Sequence, residues 1–131
     1  MNEERYPDIE VYLAPLNIRV LNEWLKQRLH VELTSAGKRQ WAGTGLSEQK
    51  QPLPVLLMES VADSFASLWI DSPDSPWARD IDLARDLNAA LGVEVRCSLG
   101  GWHPGDAPDR FFRIACDGSE GVMEWPDHHA G

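Results

Sequence analysis

The stretch at residues 65–98 constrains the fold most, because it predicts a complete strand, helix and second strand. The apolar run Phe65–Ile70 is typical of a strand, and the turn formers at 71–74 end it. Ser75 is suited to cap a helix, Pro76 to be its first residue and Gly92 to end it. Alternation of apolar and polar residues over 93–99 then predicts a strand with one buried face. The apolar stripe expected of the helix is Trp77, Ile81, Ala84, Leu87 and Leu91.

A second unit of the same kind lies near the start of the chain. Residues 9–13 alternate as a strand does, Asn17 is placed to cap a helix over 18–30, and alternation resumes over 31–34. Both units have the order strand, proline-containing turn, helix and strand. The sequence alone does not separate an internal duplication from a coincidence of pattern. The apolar stripe of the first helix is Ile18, Leu21, Trp24, Leu25 and Leu29.

The segment between the two units, residues 35–54, is polar and rich in glycine. It predicts a long hairpin or a mobile loop, with only a weak strand over 39–42. Pro52 and Pro54 argue against the middle of a central strand, because proline lacks the N–H donor. Residues 55–61 are expected to form a strand that pairs as a hairpin with Phe65–Ile70, and a short helix over 58–64 is the alternative.

The last third of the chain contains one long irregular segment. Residues 100–109 hold three glycines and two prolines, which excludes regular structure. Residues 111–116 are expected to form a strand antiparallel to 93–99, and residues 121–125 a short edge strand. Residues 126–131 are expected to be a frayed tail.

These elements predict one α+β domain over residues 1–131, with a mostly antiparallel sheet of five or six strands and two helices on one face. Its parts are a βαβ unit (9–34), the polar segment (35–54), a βαββ unit (55–125) and the tail (126–131). Split βαβ units of this kind resemble the ferredoxin-like architecture, an analogy of topology and not of activity.

The compartment is predicted from what the chain lacks. There is no run of about 18 apolar residues and the first residues are polar, so neither a membrane span nor a secretory signal is supported. A cytoplasmic protein is the expectation. In that compartment Cys97 and Cys116 are expected to be reduced thiols on strands, with a disulfide as the alternative.

Charge is unevenly spread along the chain. Residues 1–50 carry seven Lys or Arg and seven Asp or Glu, whereas residues 51–131 carry five and fourteen, so the second part holds the whole net charge of −9. Such a field repels phosphate backbones and disfavours nucleic acid, unless Lys38, Arg39 and Lys50 form a local exception. It would attract a basic protein partner, although acidic surface also serves solubility alone.

Candidate catalytic and metal-binding groups are few. His103, Asp106 and Asp109 place an imidazole and two carboxylates within one loop, which suits general base chemistry or a divalent metal. A solvated turn explains the same residues, since Asp and Pro are turn formers. No phosphate-binding, nucleophile-elbow or paired-cysteine motif is present. The sequence therefore predicts no catalytic residue, cofactor or metal.

Six tryptophans are the one compositional excess. Trp24 and Trp69 are expected on core faces, while the other four lie beside Gly or Pro at element ends, where a ring either closes the core rim or anchors a partner. Rings that share a face with Asp71, Asp74, Asp106 and Asp109 would form an aromatic patch ringed by carboxylates. The four tryptophans at element ends are Trp41, Trp77, Trp102 and Trp125.

Two function classes follow from these patterns. The favoured one is a non-enzymatic protein-interaction module, such as an adaptor, an inhibitor or an immunity-like protein. The alternative is a small-molecule-binding domain or minor enzyme that uses the loop from Trp102 to Asp109. Trp102, His103, Asp106 and Asp109 are the predicted interaction surface, because loop length beyond that of a turn is often functional. We expect Trp102 to act apart from Trp77, at the opposite end of the sheet. Oligomeric state and partner identity do not follow from the sequence.

Overall fold

The computed structural model describes residues 5–99 and 110–125. Within them a single sheet of eight strands forms in the order β2-β3-β4-β5-β1-β6-β7-β8, with every pairing antiparallel. The α+β class is confirmed, and the predicted count of five or six strands is wrong. The elements are β1 (Ile9–Ala14), α1 (Ile18–Leu29), β2 (Thr34–Gly37), β3 (Gln40–Leu46), β4 (Pro52–Ala62), β5 (Phe65–Ile70), α2 (Asp80–Leu91), β6 (Glu94–Ser98), β7 (Arg110–Ile114) and β8 (Glu120–Glu124).

The sheet is organised around β1, which lies between β5 and β6. Because β5 and β6 are both antiparallel to β1, they run parallel to each other, and α2 connects them as a split βαβ unit. Helix α1 instead leads from β1 to β2, at the edge of the sheet, with three strands between them. The strand order therefore differs from a ferredoxin-like sheet, and the two βαβ segments place their second strands differently.

Both helices cover the same face of the sheet, as predicted. Each contributes three fully buried residues to one core, in which they meet alternate residues of β1. Neither helix in the described part of the chain is long and apolar enough to cross a membrane. The core residues of the helices and of β1 are Leu21, Leu25, Leu29, Leu83, Ala84, Leu87, Ile9, Val11 and Leu13.

The two helices differ in how well the sequence predicts their starts. Asn17 caps α1 as expected, since its Oδ1 accepts the Val20 N–H at 3.2 Å. Helix α2 begins at Asp80 and not at Pro76. The Ser75 hydroxyl accepts the Trp77 N–H and donates to the Trp77 carbonyl, which holds residues 75–77 in a turn before the helix. Gly92 ends α2 in the left-handed conformation, as predicted.

The polar segment at residues 35–54 forms strands that the sequence underrates. β2 and β3 form the hairpin that was one of the two expectations, and β4 begins at Pro52, three residues before the strand predicted over 55–61. Val31 and Leu33 are buried without belonging to a strand. The Pro54 carbonyl accepts the Asp71 N–H, so the nitrogen of Pro54 faces the side beyond the end of β5. Its missing donor removes no bond to β3. Pro52 and Pro54 are the first and third residues of β4, so neither stands in the middle of the strand, as expected. The alternative helix over 58–64 is wrong.

Glycine in β3 is explained by the closeness of the last residue of α1 and of the segment that follows it. A Cβ on Gly43 would lie 2.5 Å from the Glu32 carbonyl oxygen, and one on Gly45 would contact the Leu29 carbonyl oxygen more closely still. Only glycine allows this approach, so residues that normally weaken a strand are required here.

The C-terminal strands are confirmed as β6, β7 and β8, with β6 antiparallel to β7. Residues 100–109 and the tail lie outside the described residues. Cys97 is buried on β6 and Cys116 is exposed after β7, and both are free thiols. Burial raises the pKa of the Cys97 thiol to about 12, so this thiol is inert at neutral pH.

Candidate interaction surface

The face of the sheet opposite the helices carries an apolar strip. Leu68 and Ile70 point into the core, so Trp69 between them points to this other face, and its predicted place in the core is wrong. Trp69 is opposite Leu56 on β4 and opposite Glu10 on β1. Met58 follows on the same face of β4. We call the half-buried residues Leu56, Met58 and Trp69 the apolar strip.

Carboxylates gather at one end of this face, where β1 begins, β5 ends and α2 begins. Ile9 pairs with Ile70, which brings the residues before β1 against those after β5. The Trp69 indole N–H donates to Asp8 Oδ2 at 2.6 Å, and the Ser67 hydroxyl donates to Glu10 Oε2 at 2.9 Å. We call this region the acidic end; its carboxylates are Asp8, Glu10 and Asp80, together with Asp71 and Asp74 of the segment that follows β5.

Asp80 joins two strands at the acidic end. Its Oδ1 accepts the Glu10 N–H at 3.0 Å and its Oδ2 accepts the Ser98 hydroxyl at 3.1 Å. Burial, and then the nearby charges of Glu10 and Asp8, raise the pKa of Asp80 against the opposing effect of those hydrogen bonds. Burial, and then the charges of Glu10 and Asp80, raise the pKa of Tyr12. The acidic end is therefore a place where negative charges repel one another.

No cation of residues 5–99 and 110–125 forms an ion pair with the five carboxylates of the acidic end. Arg5 lies closest in sequence, and it donates to the carbonyls of Pro73 and Ser75. Arg79 pairs with Asp82, which is outside this set. Within these residues, Asp8, Glu10 and Asp80 are stabilised by hydrogen bonds from neutral donors and not by ion pairs.

The other end of the same face is arranged differently. Glu94 at the start of β6 accepts hydrogen bonds from Arg96 at 2.9 Å and from Arg113 at 2.8 Å. Burial raises the pKa of Glu94, but the hydrogen bonds from Arg113 and Arg96 outweigh it and hold the pKa below its ordinary value. We call Glu94, Arg96 and Arg113 the arginine cluster.

Aromatic rings enclose the arginine cluster. The Arg96 guanidinium carbon lies 4.2 Å from the centre of the Phe65 ring and 4.6 Å from that of Trp125. Tyr12 and Phe111 meet the Trp125 ring edge-on, at centroid distances of 5.2 and 5.3 Å. The cation site formed by these rings is thus occupied by the protein's own arginine.

The predicted site residues Trp102, His103, Asp106 and Asp109 lie outside the described residues. The strands that flank them are defined, since Ser98 pairs with Phe111. Ser98 also bonds Asp80, so β6 ends at the end of the sheet at which α2 begins. The end of β6 is therefore not opposite to the start of α2, because parallel strands such as β5 and β6 end on the same side of the sheet.

The described tryptophans share a contact that the sequence did not reveal. Four of them donate the indole N–H to a carboxylate at 2.6–2.9 Å: Trp41 to Glu59, Trp69 to Asp8, Trp77 to Asp86 and Trp125 to Asp63. Trp77 and Trp125 are buried, so both close the core rim.

Asp71 and Asp74 lie at the acidic end, but Asp8, Glu10 and Asp80 were missed. The alternation of Asp8 and Glu10 at the start of β1 was visible in the sequence. The pairing of β1 with β5, which brings the two acidic segments together, has no signal in the sequence. Among the described residues no group of three or more His, Cys, Asp or Glu has a metal-binding arrangement.

Comparison with protein-family models, with curated proteins and with solved structures finds no match to this chain.

Proposed function

We propose that this protein is a non-enzymatic interaction module, of the adaptor, inhibitor or immunity-like type, that binds a basic protein. The partner contacts the acidic end with lysine or arginine side chains and the apolar strip with an apolar side chain. The observation that carries the proposal is that carboxylates with no ion-pair partner among residues 5–99 and 110–125 lie beside a half-buried apolar row, since Trp69 of the apolar strip donates to Asp8 of the acidic end.

The two parts of this surface contribute different properties. Carboxylates at the rim steer a basic partner and make the association rate depend on salt. An apolar row with an aromatic ring provides the contact area from which most binding energy comes. The Trp69 indole N–H is already bonded to Asp8, so its ring is held in place before binding and less side-chain freedom is lost.

Capture from the lysate of the source cells tests the proposal. Wild type and an Asp71→Lys, Asp74→Lys variant serve as baits, since both aspartates are exposed. Wild type is expected to recover one basic protein, which salt releases at an ionic strength of about 0.5 M. The variant should recover at least tenfold less.

A control of equal charge separates a local site from the overall field. Glu23 on α1 and Glu124 on β8 are exposed, and changing both to lysine alters the net charge by the same amount. This control should keep the partner. The proposal fails if control and variant lose the partner equally, or if wild type recovers no basic protein.

A further inference from the structure

A cleft of about 680 Å³ opens on the other side of the connection between β5 and α2. Three segments form its walls: the C-terminal end of α1, the loop between β3 and β4, and residues 73–76. We call it the α1 cleft. Its volume is in the range of sites that bind small molecules.

Two arginines line the α1 cleft with unused donors. Arg5 Nη1 donates to the carbonyls of Pro73 and Ser75, at 2.7 and 2.8 Å, and Arg28 Nη1 lies 2.6 Å from Asp86. The remaining N–H groups of both guanidinium groups have no hydrogen-bond partner in the described part of the chain. These contacts hold the two guanidinium groups in place, and an arginine fork suits a carboxylate.

Carboxylates line the same cleft. Glu48 and Asp74 are exposed, and neither has a cation partner among residues 5–99 and 110–125. The last turn of α1, at the negative end of the helix dipole, also lines the cleft. This side of the cleft suits an ammonium group.

Leu46 is an exposed apolar residue in a lining that is otherwise mostly polar or charged. Leu29 and Leu53 are fully buried and contribute to the cleft wall, and Leu46 stands at its rim with 44% of its surface exposed. Leu46 is one of only four large apolar residues exposed to this degree in the described chain. A ligand with an apolar side chain would cover it.

We propose that the α1 cleft binds a short unblocked peptide, a di- or tripeptide with an apolar side chain. Its carboxylate meets Arg5 and Arg28, its ammonium meets Glu48 and Asp74, and its side chain covers Leu46. This site shares Asp74 with the acidic end, and its other lining residues are different.

Calorimetric titration with three probes tests the proposal: leucyl-leucine, its N-acetyl form and its C-terminal amide. Each blocked form lacks one of the two charges. We expect leucyl-leucine to bind at least tenfold more tightly than either blocked form.

Variants assign the charges to residues. Glu48→Gln with Asp74→Asn should weaken leucyl-leucine to the level of its N-acetyl form, and leave the affinity for the N-acetyl form unchanged. Glu23→Gln with Glu124→Gln, a matched control remote from the cleft, should change none of the three affinities. Asp71→Lys alone should weaken the basic partner and spare the dipeptide, so the two proposals can fail independently. The cleft proposal is overturned if the three probes bind equally or not at all, or if the cleft variant leaves leucyl-leucine unaffected.

Discussion

The acidic end and the arginine cluster lie on the same face of one sheet and differ in how their carboxylates are compensated. At the arginine cluster, Glu94 is neutralised by two arginines, and the guanidinium of Arg96 is enclosed by Phe65 and Trp125. At the acidic end, Asp80 joins β1 to β6 through two hydrogen bonds and has Glu10 and Asp8 as its charged neighbours.

The difference separates charge that serves folding from charge that is available to a partner. A carboxylate bonded to arginine is stabilised in the folded state, and its removal costs stability. A carboxylate whose ionised form is disfavoured by burial and by nearby like charges, as in Asp80, costs stability, and an external cation can offset part of that cost. The opposite directions of the pKa shifts of Glu94 and Asp80 express this contrast.

The largest change in the free energy of unfolding is expected from Arg96→Met in the arginine cluster. The side chains of Arg96 and Glu94 are only 14% and 18% exposed, so the change leaves a poorly solvated carboxylate with one arginine. We expect a loss of about 2 kcal/mol in the free energy of unfolding, measured by urea denaturation. Arg110→Met, at an exposed position of β7, is the control and should cost about 0.5 kcal/mol or less. Equal losses in both variants would mean that the cluster does not stabilise the fold.

Glu94→Gln tests the same cluster through pH. The folded pKa of Glu94 is below its ordinary value of 4.5, so its ionised form adds stability above that pH, and this is lost as pH falls through the folded pKa. We expect the variant to lose about 1.5 kcal/mol at about pH 7 and much less at about pH 3. Glu124→Gln, on an exposed part of β8, should show no such pH dependence. A deficit that is the same at both pH values would contradict the account.

The smallest effect, with the opposite sign, is expected from Asp80→Asn. The folded pKa of Asp80 is above its ordinary value of 3.8, so its ionised form costs stability at neutral pH, and the cost disappears as the carboxyl is protonated. Asparagine can accept the Glu10 N–H and donate to the Ser98 hydroxyl. We expect a gain of about 0.5 kcal/mol at about pH 7 that vanishes at about pH 3.

Asp117→Asn is the matched control for that gain. Asp117 accepts two hydrogen bonds from Ser119, which hold its pKa below the ordinary value, so the change should not stabilise the protein. If Asp80→Asn lowers the free energy of unfolding at neutral pH, the ionised Asp80 stabilises the fold, which contradicts the account of the acidic end.

The sequence predicts local elements well where pattern and punctuation agree. Helix α1 follows its Asn17 cap, and Gly92 ends α2. Prediction from the sequence fails where contacts between residues far apart in the chain determine the structure. Gly45 looks unsuited to a strand, yet the Leu29 carbonyl leaves no room for a side chain. Pro54 looks unsuited to a central strand, yet its nitrogen lies beyond the end of β5.

The same limit applies to the candidate site. Asp71 and Asp74 were recognised as part of an acidic surface, because they follow a strand as turn residues. Asp80 could be placed near the start of a helix, but not beside Glu10. That contact joins residues 70 positions apart and needs β1 inserted between β5 and β6, a long-range pairing that has no local signal.

Amide chemical-shift mapping of the wild-type protein tests the central claim most directly. The probe is a synthetic peptide with one leucine between two pairs of lysines, which carries the charge and the apolar side chain that the acidic end and the apolar strip are proposed to bind. We expect the largest shifts at residues 8–10 and 69–74, no significant shifts at 94–96, and loss of both binding and shifts when salt screens the charges. Shifts centred on the arginine cluster, or spread evenly over the acidic surface, would contradict the account.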